Sequence, residues 1–167
     1  MDKIYREIEF ESQSTTLRGR LYLTKTNSEK RPVIIMAHGF TTTINGMTAD
    51  KYAEHFNQAG FAVLLYDHIN LGISDGEPRQ EINFWVQARG YIDAINFVSS
   101  QSEININKIA VWGASLSSRE AFLVGTVDDR VKAVIMIIPA LGEEIPIKDH
   151  DNSQYEFAKS TLLNNDI

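Results

Sequence analysis

The chain has 167 residues and 43% of them are apolar, so it is long enough to bury a sizeable core as one domain. Its net charge of -6 argues against a surface that binds nucleic acid or an anionic membrane. It contains no cysteine, which excludes disulfides, thiolate catalysis and cysteine-ligated zinc.

The start of the chain carries no targeting signal that the sequence reveals. Residues 1–7 are charged and lack the apolar centre of a signal peptide. No uninterrupted apolar run approaches the length that spans a bilayer. We therefore expect a cytoplasmic protein without a membrane partner.

The first predicted elements are two antiparallel strands. Residues 4–11 and 17–23 alternate apolar and polar side chains with a period of two, which is typical of strands with one exposed face. The polar link 12–16 suits a hairpin loop.

After Pro32 the pattern changes to that of a parallel sheet. Segments with helical periodicity, residues 52–59 and 84–98, stand between apolar runs. The runs are continuous, as in strands covered on both faces, and occupy residues 33–37, 61–66, 109–112 and 131–138. This alternation predicts βαβ units in one α/β domain over 1–167, with helices on both faces of the sheet.

The most informative motif follows the third of these runs. Gly113, Ala114 and Ser115 end the run, and a helix-like segment begins at once. Gly-x-Ser between a strand and a helix is typical of a nucleophile elbow, a strained turn that raises the serine hydroxyl above the sheet. The simpler interpretation is that Ser115 only caps the helix.

A second motif favours the elbow. His38, Gly39 and Phe40 follow the first apolar run, where a loop of this kind supplies a backbone N–H to an oxyanion hole. With both motifs in order, residues 4 to 142 resemble the N-terminal two-thirds of an α/β-hydrolase, and dienelactone-hydrolase-like and peptidase-like esterases most of all.

The loop after the next strand supports the resemblance in part. The family's loop commonly reads Asp-x-Arg-Gly-x-Gly-x-Ser, and Asp67, Gly72 and Ser74 match it. Ile69 and Asn70 replace the usual arginine and glycine. Ser117 similarly replaces the second glycine that commonly follows the nucleophile.

The resemblance implies hydrolysis of an ester, thioester or amide of a small acyl substrate, without cofactor or metal. Ser115 would be the nucleophile, and the N–H groups of Phe40 and Leu116 would form the oxyanion hole. Gly113, His38 and Gly39 would support the elbow and the loop.

The family's acid and histidine follow later strands, and no such strands are predicted after residue 138. Three explanations compete. The chain is an N-terminal portion of a hydrolase, or a short homologue that has lost catalysis and binds a ligand, or His150 beside Asp149 or Asp151 serves as an unconventional base.

The other histidines favour structural roles. His38 precedes the nucleophile and lies in the oxyanion loop, so we expect it to fix that loop. The Asp67-His68 pair invites a metal site, but with no further ligands nearby we expect a hydrogen-bonded loop pair.

The last apolar run, from Val131 to Ile138, has the composition of an interior strand but would lie at the edge of this short sheet. A long apolar edge strand promotes association, so we expect it to pair with a second copy of the chain.

Overall fold

The computed structural model describes residues 5–23, 30–46, 48–141 and 153–164. Within them the chain alternates strands and helices after an N-terminal hairpin. The elements are β1 (Tyr5–Ser12), β2 (Thr15–Tyr22), β3 (Arg31–Ala37), α1 (Ala49–Gln58), β4 (Ala62–Tyr66), α2 (Phe84–Ser99), β5 (Ile104–Ala114), α3 (Leu116–Val127), β6 (Val131–Ile137) and α4 (Ser153–Leu163).

One mixed sheet contains these strands in the order β1-β2-β4-β3-β5-β6. β1 pairs antiparallel with β2, and β2 pairs antiparallel with β4. The pairs β4–β3, β3–β5 and β5–β6 are parallel. The predicted fold, a mostly parallel sheet with an antiparallel N-terminal pair, is confirmed.

Helices cover both faces of the sheet, as predicted. Side chains of a strand alternate between the two faces, and in β4 Leu64 and Tyr66 join one buried cluster whereas Val63 and Leu65 join the other. The first cluster packs against α2, α3 and α4, and the second packs against α1. This double burial explains the continuous apolar runs of β3 and β4.

The carboxyl ends of the parallel strands lie level with one another. Ala37 at the end of β3 is the register partner of both Tyr66 in β4 and Gly113 in β5. Ala114 in turn is the partner of Ile137 in β6. The loops after these four strands therefore meet at one edge, the usual position of sites in open α/β sheets.

Asp67, directly after β4, joins two of these loops. It is almost fully buried, and its Oδ1 accepts a hydrogen bond from Ile44 N–H at 2.7 Å. Its Oδ2 accepts one from Ile73 N–H at 2.9 Å. Burial raises the pKa of the Asp67 carboxyl, and these two backbone bonds oppose that rise. The carboxylate thus fixes the loop after β3 to the loop after β4.

β6 lies at the edge of the sheet, as the sequence predicts. Its outer side has no strand partner among the described residues. β1 forms the opposite edge, where charged side chains including Glu7, Glu9 and Glu11 blunt association. In β6 only Lys132 is charged.

No helix within the described ranges has the length and apolar character needed to cross a bilayer.

Asp67→Ala tests the link between the loops. The substitution leaves the buried N–H group of Ile44 and the part-buried N–H group of Ile73 without their acceptor, so we expect the free energy of unfolding to fall by about 3 kcal/mol. Urea unfolding followed by circular dichroism measures the change. Asp129→Ala removes an exposed carboxylate and serves as the control. Equal stability of the two variants would contradict the role assigned to Asp67.

Candidate active site

Ser115 occupies the sharp turn between β5 and α3. Its φ and ψ are 55° and -115°, a region that non-glycine residues adopt at a cost of about 1–3 kcal/mol. Its side chain does not cap α3, so the simpler interpretation as a helix cap is wrong. The residue is exposed and follows the last residue of β5, at the edge where the strands end.

Hydrogen bonds on both sides hold the strained turn. Ser115 N–H donates to Ile137 carbonyl oxygen at 2.9 Å, and Ala140 N–H donates to Ser115 carbonyl oxygen at 3.1 Å. Ser118 Oγ donates to Gly113 carbonyl oxygen at 2.8 Å. The end of β6 and the first turn of α3 therefore fix the backbone that carries the hydroxyl.

Gly113 permits the turn to fold back on its own strand. A Cβ at this position would collide with the backbone of Ser117 and Ser118 in the first turn of α3. Its predicted role in supporting the elbow agrees with this close packing.

The loop after β3 reaches the elbow through Gly39. A Cβ at position 39 would overlap the carbonyl oxygen of Ala114 and would lie 3.0 Å from Ser115 Cβ and 3.3 Å from Leu116 N. Only a residue without a side chain fits there. The structure therefore brings together the loop and the turn, which are 76 residues apart in the sequence (Ser115 minus Gly39).

The two predicted oxyanion donors face no competing acceptor. Phe40 follows Gly39 directly, and Leu116 follows Ser115 as the first residue of α3. Among the described residues, none accepts a hydrogen bond from the N–H of Phe40 or Leu116. The side chain of Phe40 is 66% exposed, so it covers the loop rather than filling the core.

No described residue forms a hydrogen bond with Ser115 Oγ. His55 is exposed on α1. His38 and His68 are buried, and neither forms a hydrogen bond with Ser115. The alternative base His150, with Asp149 and Asp151, lies outside the described residues. The described residues also contain no cluster of side chains suited to a metal ion.

His38 is buried beneath the loop with its Nε2 unpartnered in the described part of the chain. Burial, together with a smaller effect of the neighbouring His68, lowers the pKa of its imidazole to about 4. The ring is therefore neutral at pH 7. The backbone carbonyl oxygen of His38 accepts a hydrogen bond from Ser117 Oγ, and the supporting role of His38 stays a prediction.

Asp67 and His68 do not bond to each other, so the expected loop pair is wrong in its details. Consecutive residues in an extended backbone point to opposite faces of a sheet, and the two side chains diverge. Asp67 binds backbone N–H groups of two loops, whereas His68 Nε2 lies 3.0 Å from Ser117 Oγ.

Sequence reasoning missed a buried polar cluster under the elbow, formed by Ser117, His68 and Glu120. Glu120 is fully buried, and its Oε2 lies 3.2 Å from His68 Nε2. The available signal is the spacing on α3. Ser117 and Glu120 lie on the same helix face as the buried Ala121 and Val124, so both are core positions.

His38 predicts an acid-sensitive stability. Its folded pKa of about 4 is below the ordinary value of 6.5, so the unfolded chain binds the proton more tightly. The contribution of neutral His38 to the free energy of unfolding is fully present above pH 6.5. It decreases as the pH falls to about 4, by about 3 kcal/mol in total. Urea unfolding of wild type and His38→Gln at several pH values isolates this contribution.

We expect the difference in stability between wild type and His38→Gln to change across that interval. The control His55→Gln alters an exposed imidazole and should follow wild type. A constant difference for His38→Gln would disprove the lowered pKa.

Comparisons with known proteins identify relatives of this chain. The chain is 38% identical over 141 residues to thiohydrolase aneE of Aspergillus aculeatus, covering 84% of this chain and 43% of the relative. It is 33% identical over 153 residues to polyketide transferase af380 of Aspergillus fumigatus, covering 90% of this chain and 51% of that protein.

A solved structure agrees with this likeness. The α/β hydrolase GrgF from Penicillium sp. sh18 superimposes with a TM-score of 0.75 and 32% identity, over 81% of this chain and 46% of that one. The chain thus spans about half the length of the relatives that it matches. A family model described as the alpha/beta hydrolase fold matches residues 32–164. The resemblance seen in the sequence is confirmed, and the chain belongs to the α/β-hydrolase fold family.

Proposed function

We propose that this chain carries the nucleophile and oxyanion hole of a serine hydrolase that acts through an acyl-enzyme on Ser115. The observation that carries the proposal is the meeting at Gly39. An exposed serine on a strained turn stands next to a loop, and the turn and the loop each offer an N–H that has no partner among the described residues.

The chemistry follows from these groups. Ser115 Oγ forms a bond to the acyl carbon while a base removes its proton, and the carbonyl oxygen becomes an oxyanion. The N–H groups of Phe40 and Leu116 would donate to that oxygen, and losing one such donor typically costs about 3 kcal/mol of barrier. Collapse of the intermediate expels the alcohol, thiol or amine and leaves the acyl group on Ser115, from which water releases it.

A thioester or ester is the substrate class that we favour. The Aspergillus aculeatus relative is named a thiohydrolase and the Aspergillus fumigatus relative a polyketide transferase. An acyl-enzyme serves both reactions, because the acyl group passes either to water or to another nucleophile. The proposed substrate is therefore a small acyl compound with a good leaving group.

The base and its orienting acid belong, in this proposal, to residues outside the described ranges. Within those ranges no histidine bonds to Ser115. His150 is the candidate that this sequence offers.

The same observation favours a second candidate function, a binding module that retains the elbow and cleft without turnover. Binding requires only the cleft and the N–H donors, whereas turnover requires an activated serine. The two functions differ in one measurable property, the reactivity of Ser115.

A fluorophosphonate probe measures that reactivity. We expect it to label the folded chain and Ser115→Ala to abolish labelling, because the phosphonyl group bonds to the serine oxygen. Ser102→Ala, which removes an exposed hydroxyl outside the site, should label like wild type. A folded chain that resists labelling would favour the binding module.

His150→Ala separates the alternatives for the base in the same assay. Loss of p-nitrophenyl acetate turnover would assign the base to His150. Unchanged turnover would exclude His150 as the base.

We also propose that the open edge of β6 associates with β6 of a second copy. Val134, Ile135 and Ile137 of this strand are only half-buried, and Met136 is 37% exposed. Pairing two edges would satisfy the backbone groups and cover this apolar surface.

Met136→Lys tests the association. A charged side chain on an edge strand opposes pairing, so we expect a shift from dimer to monomer in light scattering at equal protein concentration. Glu11→Lys introduces a lysine on the exposed side of β1 and should leave the mass unchanged. A wild-type chain that stays monomeric at high concentration would refute the proposal.

A further inference from the structure

Three buried side chains under the elbow form a connected chain of polar atoms. Ser117 Oγ, in the first turn of α3, contacts both His38 carbonyl oxygen and, at 3.0 Å, His68 Nε2. His68 Nε2 also lies 3.2 Å from Glu120 Oε2. The exposed fractions of the three residues are 1%, 2% and 0%. Bulk water therefore does not compete for these contacts.

The chemistry of the groups sets the direction of the hydrogen bonds. A carbonyl oxygen can only accept, so Ser117 uses its single hydrogen on His38. Its oxygen is then left to accept from His68, which requires a hydrogen on His68 Nε2. The bonds run from imidazole to hydroxyl to loop carbonyl.

Glu120 favours that arrangement. The approach of its Oε2 to His68 Nε2 lacks the alignment of a hydrogen bond, and neither carboxyl oxygen has a hydrogen-bond partner in the described residues. An isolated buried carboxyl is unfavourable. A hydrogen on the facing nitrogen is the attraction that the site supplies, so Glu120 holds the hydrogen on Nε2 and not on Nδ1.

Aromatic rings fix the orientation of His68. Tyr66 and Tyr91 lie edge-on to its imidazole, with ring centroids 5.4 Å and 5.7 Å away. Tyr91 is itself held by a 2.8 Å hydrogen bond from its hydroxyl to Trp112 carbonyl oxygen in β5. The donor nitrogen of His68 is thus directed at Ser117.

This series of buried polar contacts connects the segments that carry the two candidate oxyanion donors. His38 lies two residues before Phe40, and Ser117 lies one residue after Leu116. We propose that Ser117 and His68 are positioning residues that set the separation of the Phe40 and Leu116 N–H groups, with Glu120 selecting the His68 hydrogen. This inference rests on the proposed function, since it assigns those N–H groups to an oxyanion.

The catalytic arm of the test uses Ser117→Ala. Without the hydroxyl the loop loses its link to α3, so we expect the fluorophosphonate labelling rate and kcat for p-nitrophenyl acetate to fall about 10- to 100-fold with little change in KM. Ser117→Thr keeps the hydroxyl and should recover most of the rate. Thr126→Ala removes an exposed hydroxyl from the same helix and should leave the rate unchanged.

A second arm does not depend on activity. Nitrogen-15 NMR of the imidazoles should place a hydrogen on His68 Nε2, and Ser117→Ala should shift the amide resonances of Phe40 and Leu116 and speed their hydrogen exchange. A neutral Nδ1–H form of His68, or unchanged resonances and exchange in Ser117→Ala, would overturn the inference.

The two arms distinguish the failures. If Ser115 does not react in wild type but the amide resonances respond, the proposed function fails and the positioning stands. If Ser115 reacts and Ser117→Ala reacts equally fast while folded, the positioning fails alone. Urea unfolding of every variant identifies a loss of fold.

Discussion

The missing side chain at position 39 is the constraint on which the candidate site depends. Level strand ends bring the loop after β3 beside the elbow, but a Cβ there would overlap the carbonyl oxygen of Ala114. With glycine the loop lies against Ser115 and Leu116, and in the proposed function two backbone N–H groups then serve one oxygen. The register of the sheet brings the loop and the elbow to the same edge, and the contact at Gly39 lets their backbones approach closely.

Near that contact, backbone strain and the burial of a carboxyl group are unfavourable, and hydrogen bonds offset both. Ser115 holds a strained backbone, and its N–H and carbonyl are both bonded, to Ile137 and Ala140. Asp67 is buried, which disfavours its charge, yet it accepts two backbone hydrogen bonds that fix the neighbouring loops. The strain is confined to the strand ends, whereas the strands themselves are ordinary apolar core.

Most strands and the turn at Ser115 could be predicted from the sequence, because both depend on the pattern of residues that are neighbours in the chain. The apolar runs located β3, β4 and β6, and Gly113 with Ser115 located the turn. β5 begins at Ile104, earlier than predicted. Ile104 is buried and pairs with Arg31, but residues 105–108 are largely exposed and have no register partner, so no continuous apolar run marks this part of the strand. The Ser117–His68 contact spans 49 residues, and no local pattern encodes it. The single domain, the site roles and the association remain predictions.

The buried Glu120–His68 pair is better explained by the orientation that it gives to hydrogen bonds than by a gain in the free energy of folding. Apolar side chains of similar volume would pack in the same space, and replacing both partners of a buried polar pair in this way is often neutral or stabilising. Packing, however, resists compression more than it resists sliding, whereas a hydrogen bond weakens steeply as its angle departs from linear. A loop whose N–H must point at one oxygen needs restraint on rotation as well as distance. In our proposal, the hydrogen bonds from His68 through Ser117 to the His38 carbonyl oxygen supply that restraint from beneath the loop.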